Sequence, residues 1–94
     1  VEFEWDEAKS QRNLIERGLS FELALTLFEG FYTEHVDARI DYGEVRMKAF
    51  CASAGKVVVC VFTDRDQKRR IISLRYANRR ERDAYRAAEI GRHR

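Results

Sequence analysis

Proline is absent from the 94-residue sequence, and histidine and cysteine occur only twice each. Two cysteines are too few for a disulfide scaffold or a structural zinc site. The two histidines, His35 and His93, argue against a His-rich metal site and against chemistry that needs a histidine pair. No metal or other cofactor is therefore expected. Any catalysis must lean on Arg, Lys, Tyr or carboxylates. No apolar run approaches the roughly 18 residues of a membrane span. The start lacks the charged-then-apolar pattern of a signal peptide. The chain is read as cytoplasmic and reduced, with no membrane role.

What is present is a globular composition. Hydrophobic residues make up 45% and aromatic residues 12%, too much for a disordered chain. The length suits one domain over residues 1–94. The net charge of +2 hides an asymmetry. Residues 1–63 carry seven basic and eleven acidic side chains, whereas residues 64–94 carry eleven and five. Of the 18 basic residues 14 are arginine, whose planar fork suits phosphate and carboxylate. A basic C-terminal third points to an anionic partner.

With no proline, glycine and capping residues mark the boundaries. Val1–Trp5 alternates as a short strand. Asp6 is placed to cap a helix over Glu7–Arg17, with Gly18 at its stop. Ser20 is expected to cap a second helix that Gly30 ends. Phe31–Asp37 reads as a strand and Ala38–Gly43 as a turn. Glu44–Ser53 and Lys56–Thr63 read as a hairpin about Ala54-Gly55, with Gly55 at positive φ. The continuous VVVCVF run fits a strand covered on both faces. Lys68–Tyr76 is the last strand. Asn78 opens a C-terminal helix, with Glu81 in the capping-box position. The order is β-α-α-β-β-β-β-α, an α+β fold with two N-terminal helices on an antiparallel meander.

A tight hairpin pairs Arg46 with Thr63, Lys48 with Val61 and Phe50 with Val59. The apolar face then collects Val45, Met47, Ala49, Cys51, Val58, Cys60 and Phe62. Cys51 and Cys60 share that face diagonally, about 7–8 Å apart, too far for a disulfide. They read as core residues. In the last strand, Ile72 and Leu74 are assigned to the core. Arg69, Ser73 and Arg75 then join Arg46 and Lys48 on an open electropositive face.

Several segments together carry a resemblance. Phe3-Glu4-Trp5-Asp6, Lys9, Asn13 and Gly18-Leu19-Ser20-Phe21-Glu22 are similar to the N-terminal signature of the BrnT toxin family. Gly43-Glu44-x-Arg46, Val58–Thr63, Arg70-Ile71-Ile72-Ser73-x-Arg75, Arg79-Arg80-Glu81-Arg82 and Tyr85 resemble its later segments. The chain differs at Glu16-Arg17, where the family often has Lys-His, and at Glu29-Gly30, where it often has Asp-Pro. The resemblance implies a RelE-like fold and a ribonuclease toxin of a type II toxin–antitoxin system. It also implies a BrnA-type antitoxin as partner, in a heterotetramer that meets DNA only through the antitoxin.

RNA can be cut without metal when its own 2′-OH attacks the adjacent phosphate. Positioned cations stabilise the developing charge. Arg75, Arg79 and Arg46 are the candidate catalytic residues. Lys9, Lys48, Arg69, Tyr76 and Arg80 are the candidate RNA-binding residues. Each has a bland alternative. Arg75 or Arg46 would merely pair with an acid, Arg79 would pair with Asp83 along the helix, Lys9 would line a solvated helix face, and Tyr76 would sit at the core edge. Glu44 is a weaker candidate base, and His35 reads as strand surface. Two other functions stay open. One is a non-catalytic RNA- or ribosome-binding module, and the other an inactive toxin serving as antitoxin co-repressor.

Overall fold

A computed structural model describes residues 1–38 and 43–92 of the chain. Most of the expected turn over 38–43, and His93, lie outside the described residues. Asp6 and Gly18 bound the first helix as their chemistry dictates. After strand β1 (Glu2–Glu4), the Asp6 carboxylate accepts from the Lys9 N–H at 3.1 Å and opens α1 (Glu7–Arg17). Gly18 ends it at φ 75°, its N–H donating to the Leu14 carbonyl. That left-handed conformation is the reason for a glycine here.

The second helical segment is a correction. Instead of one helix from Ser20 to Gly30, a 3-10 turn (Phe21–Leu23) runs into the single turn α2 (Ala24–Leu27). The Ser20 side chain makes no capping bond. Buried Ser10, on α1, instead accepts from the Phe21 N–H at 2.9 Å. A partner from another element thus takes the capping role.

The remaining elements are β2 (Thr33–Val36), β3 (Met47–Ser53), β4 (Lys56–Arg65), β5 (Lys68–Tyr76) and α3 (Arg79–Gly91). The fold is α+β, with a five-stranded sheet in the order β1-β5-β4-β3-β2. The sheet is mixed, which corrects the expected antiparallel meander. β1 pairs in parallel with β5, while the other neighbours are antiparallel. Among the described residues no helix is long and apolar enough to cross a membrane.

The β3–β4 hairpin has the register expected of a tight turn. Lys48 faces Val61, Phe50 faces Val59, and Cys51 lies diagonal to Cys60. Both thiols are free and buried. Burial pushes the Cys51 thiol up to about 12 and raises that of Cys60 further. Ala54 and Gly55 both take positive φ, 50° and 79°, as a two-residue hairpin loop requires.

The β4–β5 pairing departs from simple alternation. Val61 faces Ser73, but Phe62 faces Ile71, so Ile72 is an extra residue in a bulge. One inserted residue reverses the face of everything before it. Ile71 and Leu74 therefore enter the core, in place of Ile72 and Leu74. Arg69 turns to the helix-covered face.

Both faces of the sheet are covered. Phe21, Ala24 and Leu27 pack on Ala49, Cys51, Val58, Cys60 and Phe62 on one side. Val45, expected there, is 68% exposed. On the other side Tyr85 of α3 packs with Phe50, Val57, Val59 and Ala77. The face read as open is thus partly roofed by α3, and its cations are gathered at the margin of that helix.

Candidate functional site

The margin of α3 forms a cleft of about 570 Å³ with β2 and β3, lined by His35, Val36, Lys48, Phe50, Asn78, Arg80, Glu81 and Ala84. Its geometry begins at the junction of β5 and α3. The Asn78 side chain accepts from the Glu81 N–H, and the Glu81 carboxylate accepts from the Asn78 N–H, both at 2.9 Å. This is the capping box expected from the sequence. The same carboxylate also receives both ends of the Arg75 guanidinium, at 2.7 and 2.8 Å. Two parallel charge-assisted bonds fix orientation as well as distance.

Glu81 is therefore ionised. The Arg75 bonds lead, and the Asn78 N–H and the charges of Arg75 and Lys48 assist. Together they hold its carboxyl at about 2 instead of 4.5, although burial opposes them. A carboxylate so acidic and so fully engaged is a poor general base. Its place is to position Arg75. The sequence reading of Glu81 as a helix cap was correct and incomplete.

His35 comes from β2. It lies directly across from Lys48 of β3 and stacks on Phe50, with ring centroids 4.3 Å apart. The Thr33 hydroxyl lies 2.9 Å from its Nε2. An anchored imidazole beside a lysine and a basic helix start is equipped for proton transfer. Sequence reasoning left His35 on the strand surface. The missing signal was the β2–β3 register, which spans the segment 39–42 and cannot be read from a tight turn.

The other expected site residues fall in several places. Lys48 and Arg80 line the cleft, and Arg75 reaches it through Glu81. Arg79 is exposed on the first turn of α3, and no ion pair joins it to Asp83 among the described residues. Arg46 precedes β3 on the Lys48 side and lies 3.5 Å from Glu44. Glu44 is thus the acid beside an arginine. Lys9 lines a separate groove of about 280 Å³ between α1 and the edge of β5, with Arg12, Arg17, Ile72 and Ser73. Tyr76, 46% exposed, lies at the end of β5 with Lys56 above its ring.

Arg69 is a correction. The bulge carries it away from Arg75 and sets its guanidinium 4.7 and 4.2 Å from the ring centroids of Phe28 and Phe62. Asp64 takes two of its hydrogen bonds, at 2.8 and 2.9 Å, and its side chain is 13% exposed. These bonds to Asp64 hold its pKa above the ordinary value. Arg69 lies on the helix-covered face, so the electropositive floor loses one of its four cations.

Asn13, part of the N-terminal signature, gains a physical role in the structure. Its side-chain amide donates to the Leu19 and Leu74 carbonyls at 2.6 and 2.9 Å, and its carbonyl accepts from the Leu74 N–H at 3.4 Å. It thus serves β5 as a neighbouring strand would, beyond the point where β1 ends. That bond set fixes the stretch that delivers Arg75.

Among the described residues no group of three or more His, Cys, Asp or Glu side chains is arranged to hold a metal ion. The cleft instead brings together cations, one imidazole and a helix N-terminus, which favours an anionic ligand. Comparison with curated proteins gives no match. A family model described as "Ribonuclease toxin, BrnT, of type II toxin-antitoxin system" matches residues 5–81. That span contains β1's exit, the whole sheet from β2 to β5 and the Arg75–Glu81 junction, and the chain belongs to the BrnT family of ribonuclease toxins.

Proposed function

We propose that the protein is a metal-independent endoribonuclease whose active centre is the cleft between β2–β3 and the start of α3. One observation carries this reading: His35, Lys48 and Arg80 share a cleft with Glu81, which grips Arg75 at 2.7 and 2.8 Å. In the reaction, the substrate's 2′-oxygen bonds to phosphorus and the P–O5′ bond breaks. The 2′-hydroxyl proton must leave and the departing 5′-oxygen must gain one. The products are a 2′,3′-cyclic phosphate and a 5′-hydroxyl.

His35 is the group assigned to proton transfer, worth about 10²–10⁴-fold. Lys48 and Arg80 hold the phosphate. Arg75, fixed by Glu81, offers a preorganised donor where charge develops. Removing such a donor costs about 10²–10³ in rate. Arg79, exposed on the first turn of α3, and Arg46, just before β3, are assigned to drawing in the RNA backbone. Because these cations supply the charge stabilisation, the reading requires no metal ion.

The fold is read as RelE-like. The inhibitory partner implied by family membership is read as a BrnA-type antitoxin that covers this basic face, in a heterotetramer that meets DNA through the antitoxin. The test is single-turnover cleavage of a mixed-sequence RNA with EDTA present. Wild type should yield ends carrying cyclic phosphate, and Arg75→Ala and His35→Asn should each slow the reaction at least about 100-fold. Intact RNA at high enzyme, with both variants indistinguishable from wild type, would refute the reading.

A further inference from the structure

A second pocket lies on the far side of α3 from the cleft. It has a volume of about 290 Å³ and sits where the β3–β4 turn, the end of β5 and the helix meet. Buried Val57 and Ala77 form its floor. Tyr76 forms an aromatic wall, 46% exposed, with the Lys56 ammonium 5.1 Å from its ring centroid. Arg82 and Arg86 form the opposite rim. Arg82 donates to the Ala77 carbonyl at 2.9 Å and Arg86 to the Gly55 carbonyl at 3.1 Å.

None of the lining residues is acidic. Glu89, one helical turn away, reaches Arg86 at 3.4 Å through its other terminal nitrogen. An apolar floor, an exposed ring and three cations match the two halves of a nucleotide. A base stacks on the aromatic, and its phosphate meets the guanidinium forks. The volume is near the lower limit of small-ligand pockets, about 300 Å³, which suits one base and its sugar.

The pocket's position relates it to the cleft. Along β5, Arg75 joins the cleft through Glu81, while its neighbour Tyr76 faces the pocket. On α3, Arg80, Glu81 and Ala84 face the cleft, whereas Arg82 and Arg86 face the pocket. The first turn of the helix, bearing exposed Arg79, lies between them. A single strand crossing that turn would engage both.

We propose that this pocket is a second nucleotide subsite, which holds one unpaired base and its phosphate of the RNA away from the scissile bond. The inference rests on the ribonuclease reading and extends the same substrate beyond the cleft. An acidic peptide would use the cations but has no need of the exposed ring face, so the stacking platform favours RNA.

The test is binding of a fluorescent ten-nucleotide 2′-O-methyl RNA, which cannot be cut, followed by anisotropy. Tyr76→Ala should weaken binding about 5- to 150-fold, the range for loss of one base–aromatic stack. Tyr76→Phe should bind as wild type does. In cleavage assays Tyr76→Ala should raise KM on a long RNA by a similar factor. Equal affinity of Tyr76→Ala and wild type for the 2′-O-methyl RNA would overturn the proposal. So would a loss confined to an acidic peptide probe. A wild type that binds this RNA in a Tyr76-dependent way and cuts nothing would refute the catalytic reading and support the subsite.

Discussion

Arg75 at the end of β5 and Glu81 in the first turn of α3 form a bidentate ion pair, with contacts of 2.7 and 2.8 Å. The same carboxylate caps the helix through the Asn78 N–H. One side chain thereby ties the strand, the helix start and the cleft together.

This pair should make stability acid-sensitive. The Glu81 carboxyl is held at about 2 against an ordinary 4.5. A depressed carboxylate contributes stability above its unfolded value and loses it as pH falls through the folded value. The contribution should be complete above about pH 5 and fade between 4.5 and 2. Its upper bound is roughly 3 kcal/mol. Glu81→Gln should therefore lower the urea midpoint at pH 7 and flatten the acid limb. Parallel stability curves from pH 7 to 2.5 for the variant and wild type would contradict this.

His35→Asn should leave folding intact, because the ring is only partly buried on an edge strand. It should reduce kcat by about 10²–10⁴-fold. A loss of less than about tenfold in kcat would assign His35 to packing against Phe50 alone.

Asn13→Ala should cost about 2–6 kcal/mol. It orphans the Leu19 and Leu74 carbonyls, which the amide now satisfies at 2.6 and 2.9 Å. Each buried polar group left unpaired costs about 1–3 kcal/mol. Hydrogen exchange at β5 amides should accelerate in the variant. Exchange unchanged there would mean that β5 does not depend on this contact.

Ala54→Asn should stabilise the protein by up to about 1 kcal/mol. Ala54 sits at φ 50°, a conformation that costs an L-residue roughly 1–2 kcal/mol and that asparagine tolerates better. A rise in thermal midpoint checks it, and a fall would show that the alanine packs in a way asparagine cannot.

Much of the fold was legible residue by residue. Asp6, Gly18 and Asn78 act where they stand because capping is a local exchange of hydrogen bonds within one turn. The β3–β4 register was legible because a two-residue loop leaves one pairing open to it. Ser20 makes no side-chain cap, and the first N–H of that segment, Phe21, is instead held by Ser10 of α1, ten positions earlier.

The sequence by itself determined the class of fold, both ends of α1 and β5, the burial of both cysteines and the concentration of arginine near α3. Each of these depends on neighbours within a few positions along the chain. Only the tertiary structure decided which cations converge. The bulge at Ile72 belongs to two strands at once, and it separates Arg69 from Arg75. The placement of His35 against Lys48 depends on strands separated by a longer connection, so local alternation carries no register for it. The +2 net charge says as little about the site as it did at the outset. What matters is that folding pins Arg69 on one face and opens a cleft at Glu81 and His35 on the other, with Arg75 tied to it through Glu81.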